Sequence, residues 1–255
     1  MASDSGMRKY IIALFVLVAF CVSAWDATEF DWMFATLKNR QTPSWTPADL
    51  SPIRWYKCDG NSVDAVSTNA ASWSGIARYT TGINGQAWKF DGTNYLTAAR
   101  CDASITNATV AFWVRRWGDA INYCGIGGLS APDGGITFQG RSQYIIANSL
   151  DDSTRYDITL SAEEMPGNNW MHVVVTWTNK IASAIWQNGT KHINLTSSTR
   201  YSASGRYNMM MGARMLASAT NATLVAPIEL DDMLIFDKVL SNEEIQQIYE
   251  WRDTP

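Results

Sequence analysis

Eight residues from Trp170 to Trp177 alternate without a break. Met171, Val173, Val175 and Trp177 share one side, and Trp170, His172, Val174 and Thr176 the other, the period of a strand packed on both faces. A polar break at 178–180 leads to a second β-rich run ending in Ile185, Trp186 and Gln187. Asn188-Gly189 then supplies the pair that tolerates positive φ in a tight hairpin turn. The same pattern predicts strands over 53–58, 87–90, 95–98 and 108–115, the second and third flanking an Asp91-Gly92 turn. Val110, Phe112 and Val114 fall on one face of the fourth. Shorter strands are expected over 123–129, 136–139, 144–146, 156–160 and 207–212, and a closing strand over 228–236. The polar run after Asp59-Gly60-Asn61 reads as a turn and surface loop through Ser74. Ser241 with Glu244 three residues on predicts a capping box, Leu240 stapling to Ile245, and a final helix to about Arg252.

Four stretches, in the family's order along the chain, resemble laminin G-like domains, the concanavalin A-like lectin (pentraxin-like jelly-roll) family. They are the Trp170–Gly189 hairpins, the run from Gly82 to Leu96 (GINGQAWKFDGTNYL), Ala108 to Arg115 (ATVAFWVR), and the ending from Ile228 through Leu240 to Ile245. The resemblance covers residues 44–251 and implies an all-β antiparallel sandwich of jelly-roll type with a short C-terminal helix. It also implies a binding or spacing role, because this fold does not by itself settle function.

The chain ahead of that domain reads differently. Arg8-Lys9, the apolar run from Ile11 to Phe20 and Val22-Ser23-Ala24 predict a signal peptide over 1–24, cleaved before Trp25. The run is short for a membrane span, which takes about 20 apolar residues; a retained short anchor is the alternative and the one route to a membrane. Residues 25–43 are expected to form a short amphipathic lead-in helix, with Phe30, Met33, Phe34 and Leu37 on one face, and a linker. The jelly-roll domain is then 44–255. Export sets the compartment as secreted or surface-displayed.

A net charge of −4 offers no basic field for a phosphate backbone and argues against a nucleic-acid partner. After leader removal Cys58, Cys101 and Cys124 remain, an odd set that allows one disulfide or none, with no metal-thiolate spacing. Four Asn-x-Thr sequons, at Asn107, Asn188, Asn194 and Asn221, are glycan acceptors only on a eukaryotic route.

Catalytic chemistry finds little support in the sequence, and the chain is not expected to be an enzyme. His172 lies mid-strand and His192 beside a turn, with no nucleophile elbow. The paired carboxylates of a glycoside hydrolase are begun by Glu29 and Asp31, but Phe34 stands where the second glutamate belongs. The resemblance implies instead a rim Ca²⁺, with Asp59 and Asp232 as candidate ligands, oxygen donors that suit a hard cation.

All 12 tryptophans follow Ala24. Trp55, Trp88, Trp113, Trp170, Trp177 and Trp186 occupy strand positions and read as packing. Trp73 and Trp117 stand in polar loops, where an indole can face a sugar while polar neighbours fix it. Arg116, Asn122 and Tyr123 are near enough in sequence to join Trp117. The function expected is a secreted or surface-displayed, non-catalytic carbohydrate-binding domain that takes a glycan or glycosylated surface. The alternative is a structural or adhesive module of a virion or cell-surface assembly that contacts protein.

Overall fold

The computed structural model describes residues 45–102, 104–116, 124–129, 131–132, 135–139, 144–147, 155–161, 169–192, 196–200, 206–215, 222–225 and 227–251. All elements below lie in the unit Thr46–Pro255; the expected leader and lead-in helix fall outside the described residues.

The strands begin with β1 (Arg54–Tyr56), β2 (Ser72–Ser74), β3 (Tyr79–Thr81), β4 (Gln86–Asp91), β5 (Tyr95–Ala98), β6 (Ala108–Arg116) and β7 (Cys124–Gly128). They continue with β8 (Ala131–Pro132), β9 (Gly135–Gln139), β10 (Tyr144–Ala147), β11 (Arg155–Ser161), β12 (Met171–Thr178), β13 (Ile181–Gln187) and β14 (Thr190–His192). The last are β15 (Thr196–Arg200), β16 (Arg206–Tyr207), β17 (Met209–Met211), β18 (Ala213–Met215), β19 (Ala222–Val225) and β20 (Pro227–Phe236), followed by the helix α1 (Asn242–Glu250). An eight-stranded sheet runs β14-β13-β12-β6-β20-β4-β3, with β1 added on β20. A five-stranded sheet, β15-β11-β10-β9-β7, and a three-stranded one, β17-β5-β2, complete the main layers. Pairings are antiparallel, and the fold is an antiparallel β-sandwich with one short C-terminal helix.

Alternation dictates which side chains meet. Trp88 and Phe90 of β4, Val110, Phe112 and Val114 of β6, and Met171, Val173, Val175 and Trp177 of β12 join one buried cluster with Ile228, Leu230, Met233 and Ile235 of β20. Leu96, Ile126, Ile136, Ile145, Met209 and Met211 enter the same cluster from the smaller sheets. The opposite side of β12 is buried as well, because α1 lies over it. Trp113 stacks on Tyr249 at 5.7 Å, His172 lies 5.6 Å from the same ring, and Trp55 meets Trp251 edge-on at 5.8 Å. The helix starts as the sequence predicts: Ser241 Oγ accepts from Glu244 N, and Glu244 Oε2 accepts from Ser241 N. Leu240 and Ile245 are both buried.

Local turn chemistry fixes the two hairpins. Asn179 and Lys180 have φ of 51° and 68°, and Asn188 and Gly189 have 49° and 76°, paired left-handed residues that follow the right-handed twist of the strands they join. Three expectations are corrected. The first strand spans only Arg54–Tyr56, the run 207–212 breaks at Asn208, and the polar stretch ending at Ser74 contains strand β2.

Candidate functional site

The sites expected from sequence fall at three places. Arg116 is the last residue of β6, half-buried and opposite Ile228 of β20. The segment it leads into, with Trp117, Asn122 and Tyr123, lies outside the described residues. Trp73 is in a strand rather than a loop: it is central in β2, opposite Leu96. Its ring lies 5.5 Å from Phe90, 6.0 Å from Tyr79 and 6.4 Å from Trp88, half-buried against the core. Serines on both sides make Ser72-Trp73-Ser74 look like loop; a three-residue strand is too short to show its period. The indole Nε1 is buried with no hydrogen-bond partner among the described residues.

Asp232 sits within β20 at an irregularity between Asp231 and Leu234, with φ of 46°. That break in alternation lets two successive carboxylates reach one turn, Gly82 to Gly85. Asp231 Oδ2 accepts from Ile83 N at 2.7 Å and Asn84 N at 3.1 Å, and its Oδ1 from Asp232 N at 2.9 Å. Asp232 accepts from Asn84 Nδ2 at 2.6 Å and from the Trp55 indole at 3.1 Å. The turn has no room for side chains here, since a Cβ on Gly82 would lie 2.3 Å from Asp231 Oδ2 and one on Gly85 2.2 Å from Asp59 Oδ1. Asp59 is in the turn after β1, its Oδ1 accepting from Gln86 N at 2.7 Å.

No cationic side chain forms an ion pair with Asp231 or Asp232 among the described residues. Burial first, and then the charge of Asp232, push the Asp231 carboxyl up to about 8. Burial also raises Asp232, to about 6, against the pull of Asn84 and Trp55. The pair therefore gives up its second proton only near or above neutrality. For a metal ion the charge is suitable, but each carboxylate oxygen of the pair accepts from an N–H in this arrangement, so a cation would have to displace those donors. No three His, Cys, Asp or Glu side chains converge on a metal position among the described residues.

Cys58 and Cys101 are buried free thiols, and burial raises both, Cys101 to about 11. They stay protonated at neutral pH.

Two further charged groupings escaped the sequence reading. Asp64, fully buried, is bonded by Arg54 Nη1 at 3.0 Å, Trp55 N at 2.9 Å and Val66 N at 3.0 Å, and by the Ser67 hydroxyl. Burial works against its charge, but these donors outweigh it and hold Asp64 below the usual carboxylate range. Glu229 lies on the helix side of the large sheet between Lys89 and Arg115, its neighbours in register on β4 and β6. Glu229 interrupts an apolar strand; that was the signal available in sequence. Its partners come from strands distant in the chain.

Comparison with known proteins places this geometry in a family. The laminin G 3 profile, described as the concanavalin A-like lectin/glucanases superfamily, matches residues 90–246. No curated protein sequence matches the chain. Domain 4 of an extracellular GH43 arabinanase from Geobacillus stearothermophilus, solved with arabinotriose, superposes with a TM-score of 0.58 at 15% identity. That match covers 77% of this chain and 97% of that domain. Botulinum neurotoxin type C, whose cell entry depends on two ganglioside molecules, superposes with a TM-score of 0.56 at 17% identity over 79% of this chain and 51% of the solved chain. The binding domain of botulinum neurotoxin DC, solved with rat synaptotagmin II, gives 0.55 and 17% over 80% of this chain and 52% of its own. The chain thus spans about half of the toxin chains and nearly all of the arabinanase domain. At these identities the solved structures speak for the fold, and the profile match for descent: the chain belongs to the concanavalin A-like lectin/glucanases superfamily.

Proposed function

We propose that this chain is an extracellular, non-catalytic carbohydrate-binding domain. The observation that carries the reading is its match to nearly the whole length, 97%, of an arabinanase domain solved with arabinotriose. A sandwich closed on both faces presents its chemistry at rims and loops, where a few polar groups around an aromatic ring suffice to orient a sugar. Trp117 is proposed as the platform, with Arg116, Asn122 and Tyr123 supplying polar contacts, and Trp73 as a second, half-buried aromatic. A glycan array probed with the secreted protein tests this. Trp117→Ala is expected to weaken binding with little change in melting temperature, and absence of any glycan binding at millimolar concentration would overturn the reading. The second reading, an adhesive module that contacts protein, is favoured by the neighbour solved with synaptotagmin II. Protein binding without glycan binding would select it.

Ca²⁺ is proposed as a structural companion at the Asp232 turn. Asp232 and Asp59 would hold it, with Asn84 rotating its amide to offer Oδ1 in place of Nδ2, and the ion would supply the positive charge that the carboxylate pair lacks. Chelator should then lower the melting temperature of the wild type and leave Asp232→Ala unaffected. Equal wild-type melts with and without chelator would remove the ion.

A further inference from the structure

We propose that the helix side of the large sheet carries a subsite for the carboxylate of an acidic sugar, formed by Arg115, Trp170 and Lys89 around the buried Glu229. This rests on the glycan-binding reading and adds a ligand class and a place to it.

Register makes the subsite. Glu229 of β20 lies opposite Lys89 of β4 on one side and Arg115 of β6 on the other. Its side chain is 3% exposed, accepts from Arg115 Nε and lies 3.7 Å from Lys89 Nζ. One carboxylate thus lies between two cations, on a chain whose net charge is −4. The guanidinium is held a second time, with its carbon 4.7 Å from the Trp170 ring centroid. Arg115 is thus fixed by a buried carboxylate and an indole while its side chain remains 23% exposed. With Nε engaged by Glu229, the edge formed by the two Nη groups is the one proposed to receive the ligand. That edge matches a carboxylate through two parallel N–H···O bonds. Because the side chain is already ordered, binding costs little further conformational freedom.

Stability alone is a weak reason for this network. Burying a carboxylate with its counter-ions seldom improves on an apolar replacement. The charges occur where the face opens, beside a half-buried tryptophan and the exposed Asn169. Trp170 can there meet the C–H edge of the sugar whose carboxylate Arg115 receives.

The full chain is titrated with 3′-sialyllactose and tetragalacturonate as carboxylate probes, 3′-sulfolactose as the sulfate probe, and lactose as the neutral one. At least one carboxylate probe is expected to bind about tenfold or more tighter than lactose, and Arg115→Gln to abolish that preference. Arg115→Lys should restore it only in part, because a single ammonium cannot form the paired contact. Where Arg115→Gln lowers the melting temperature, the Arg115→Gln/Glu229→Gln double variant keeps a neutral bonded pair in place and should still lose the preference. Carboxylate probes binding no tighter than lactose, or a preference that survives both variants, would overturn the subsite. So would a preference for sulfate over both carboxylates. Binding of neutral glycans without acidic preference removes the subsite and keeps the glycan reading; no binding of any probe removes both.

Discussion

Trp55 joins two buried carboxylate sites that solve the same problem differently. Its backbone N–H donates to Asp64, and its indole donates to Asp232. Asp64 has a guanidinium, a hydroxyl and two backbone donors, and its carboxyl is held below the usual range. Asp231 and Asp232 have comparable numbers of N–H donors and no paired cation among the described residues, and both are raised. The Ser67 hydroxyl and the Trp55 and Val66 N–H groups do most to keep Asp64 ionised, with Arg54 adding to them, whereas Asp231 must also bear the charge of Asp232, which its N–H donors do not offset. The first site is a completed structural joint, while the second is short of one positive charge.

The most severe way to break this contrast is a carboxylate with no receiving donors at all. Val174 and Val175 are fully buried on opposite faces of β12. Val174→Asp and Val175→Asp each lose burial of about 1.5–3 kcal/mol and add an unpaired charge, so both variants are expected to be unfolded or nearly so. Thermal melts close to wild type for both would contradict a strand covered on two sides.

Breaking the completed joint should cost less. Asp64→Ala strands the Arg54 guanidinium, whose side chain is 15% exposed, and leaves the Trp55 and Val66 N–H groups unbonded. A loss of about 3–5 kcal/mol is expected for removing one partner of a buried ion pair, read as a lower urea midpoint. An unchanged midpoint would mean that the loop is held by something other than Asp64.

Much of the frame within which these sites sit was legible in the chain. The β12–β13 hairpin, the Asn188-Gly189 turn and the Ser241 cap are set by neighbours a few residues apart, so period and turn chemistry reveal them. The carboxylate joints are not local. Alternation puts Asp231 and Asp232 on opposite faces, and only the irregular backbone at Asp232 turns both toward Asn84, 148 residues away from Asp232 in the chain. Naming Asp59 and Asp232 was possible by resemblance, whereas Asn84, Trp55 and Asp231 needed the fold. Trp73 was misplaced for the opposite reason, because a strand of three residues flanked by serines carries too little pattern to be seen.

The mildest change sharpens the comparison instead of breaking it. Asp232→Asn removes one charge, suits the left-handed backbone at that position, and can keep both bonds if Asn84 turns its amide. A folded pKa above the unfolded one gives stability that is complete below the ordinary carboxylate value and lost as pH rises through the folded value. For this pair the loss begins as pH rises past the ordinary carboxylate value and is complete by about 8, the higher of the two folded values. Asp64 has the opposite sign, its contribution present above the ordinary carboxylate value and lost on acidification. Asp232→Asn should therefore be more stable than wild type by about 1–3 kcal/mol at pH 8 and nearly equal to it at pH 4, measured by chemical denaturation in chelator. An equal difference at both pH values would mean that the pair carries no shifted proton.

Function rests on a simpler claim, that this sandwich binds sugar and does not cleave it. Incubating the purified protein with an array-selected oligosaccharide, while following both its binding and the appearance of new reducing ends, measures the two together. Saturable binding with no new reducing ends is the predicted result. New reducing ends that accumulate in proportion to protein concentration would make the chain an enzyme and contradict it.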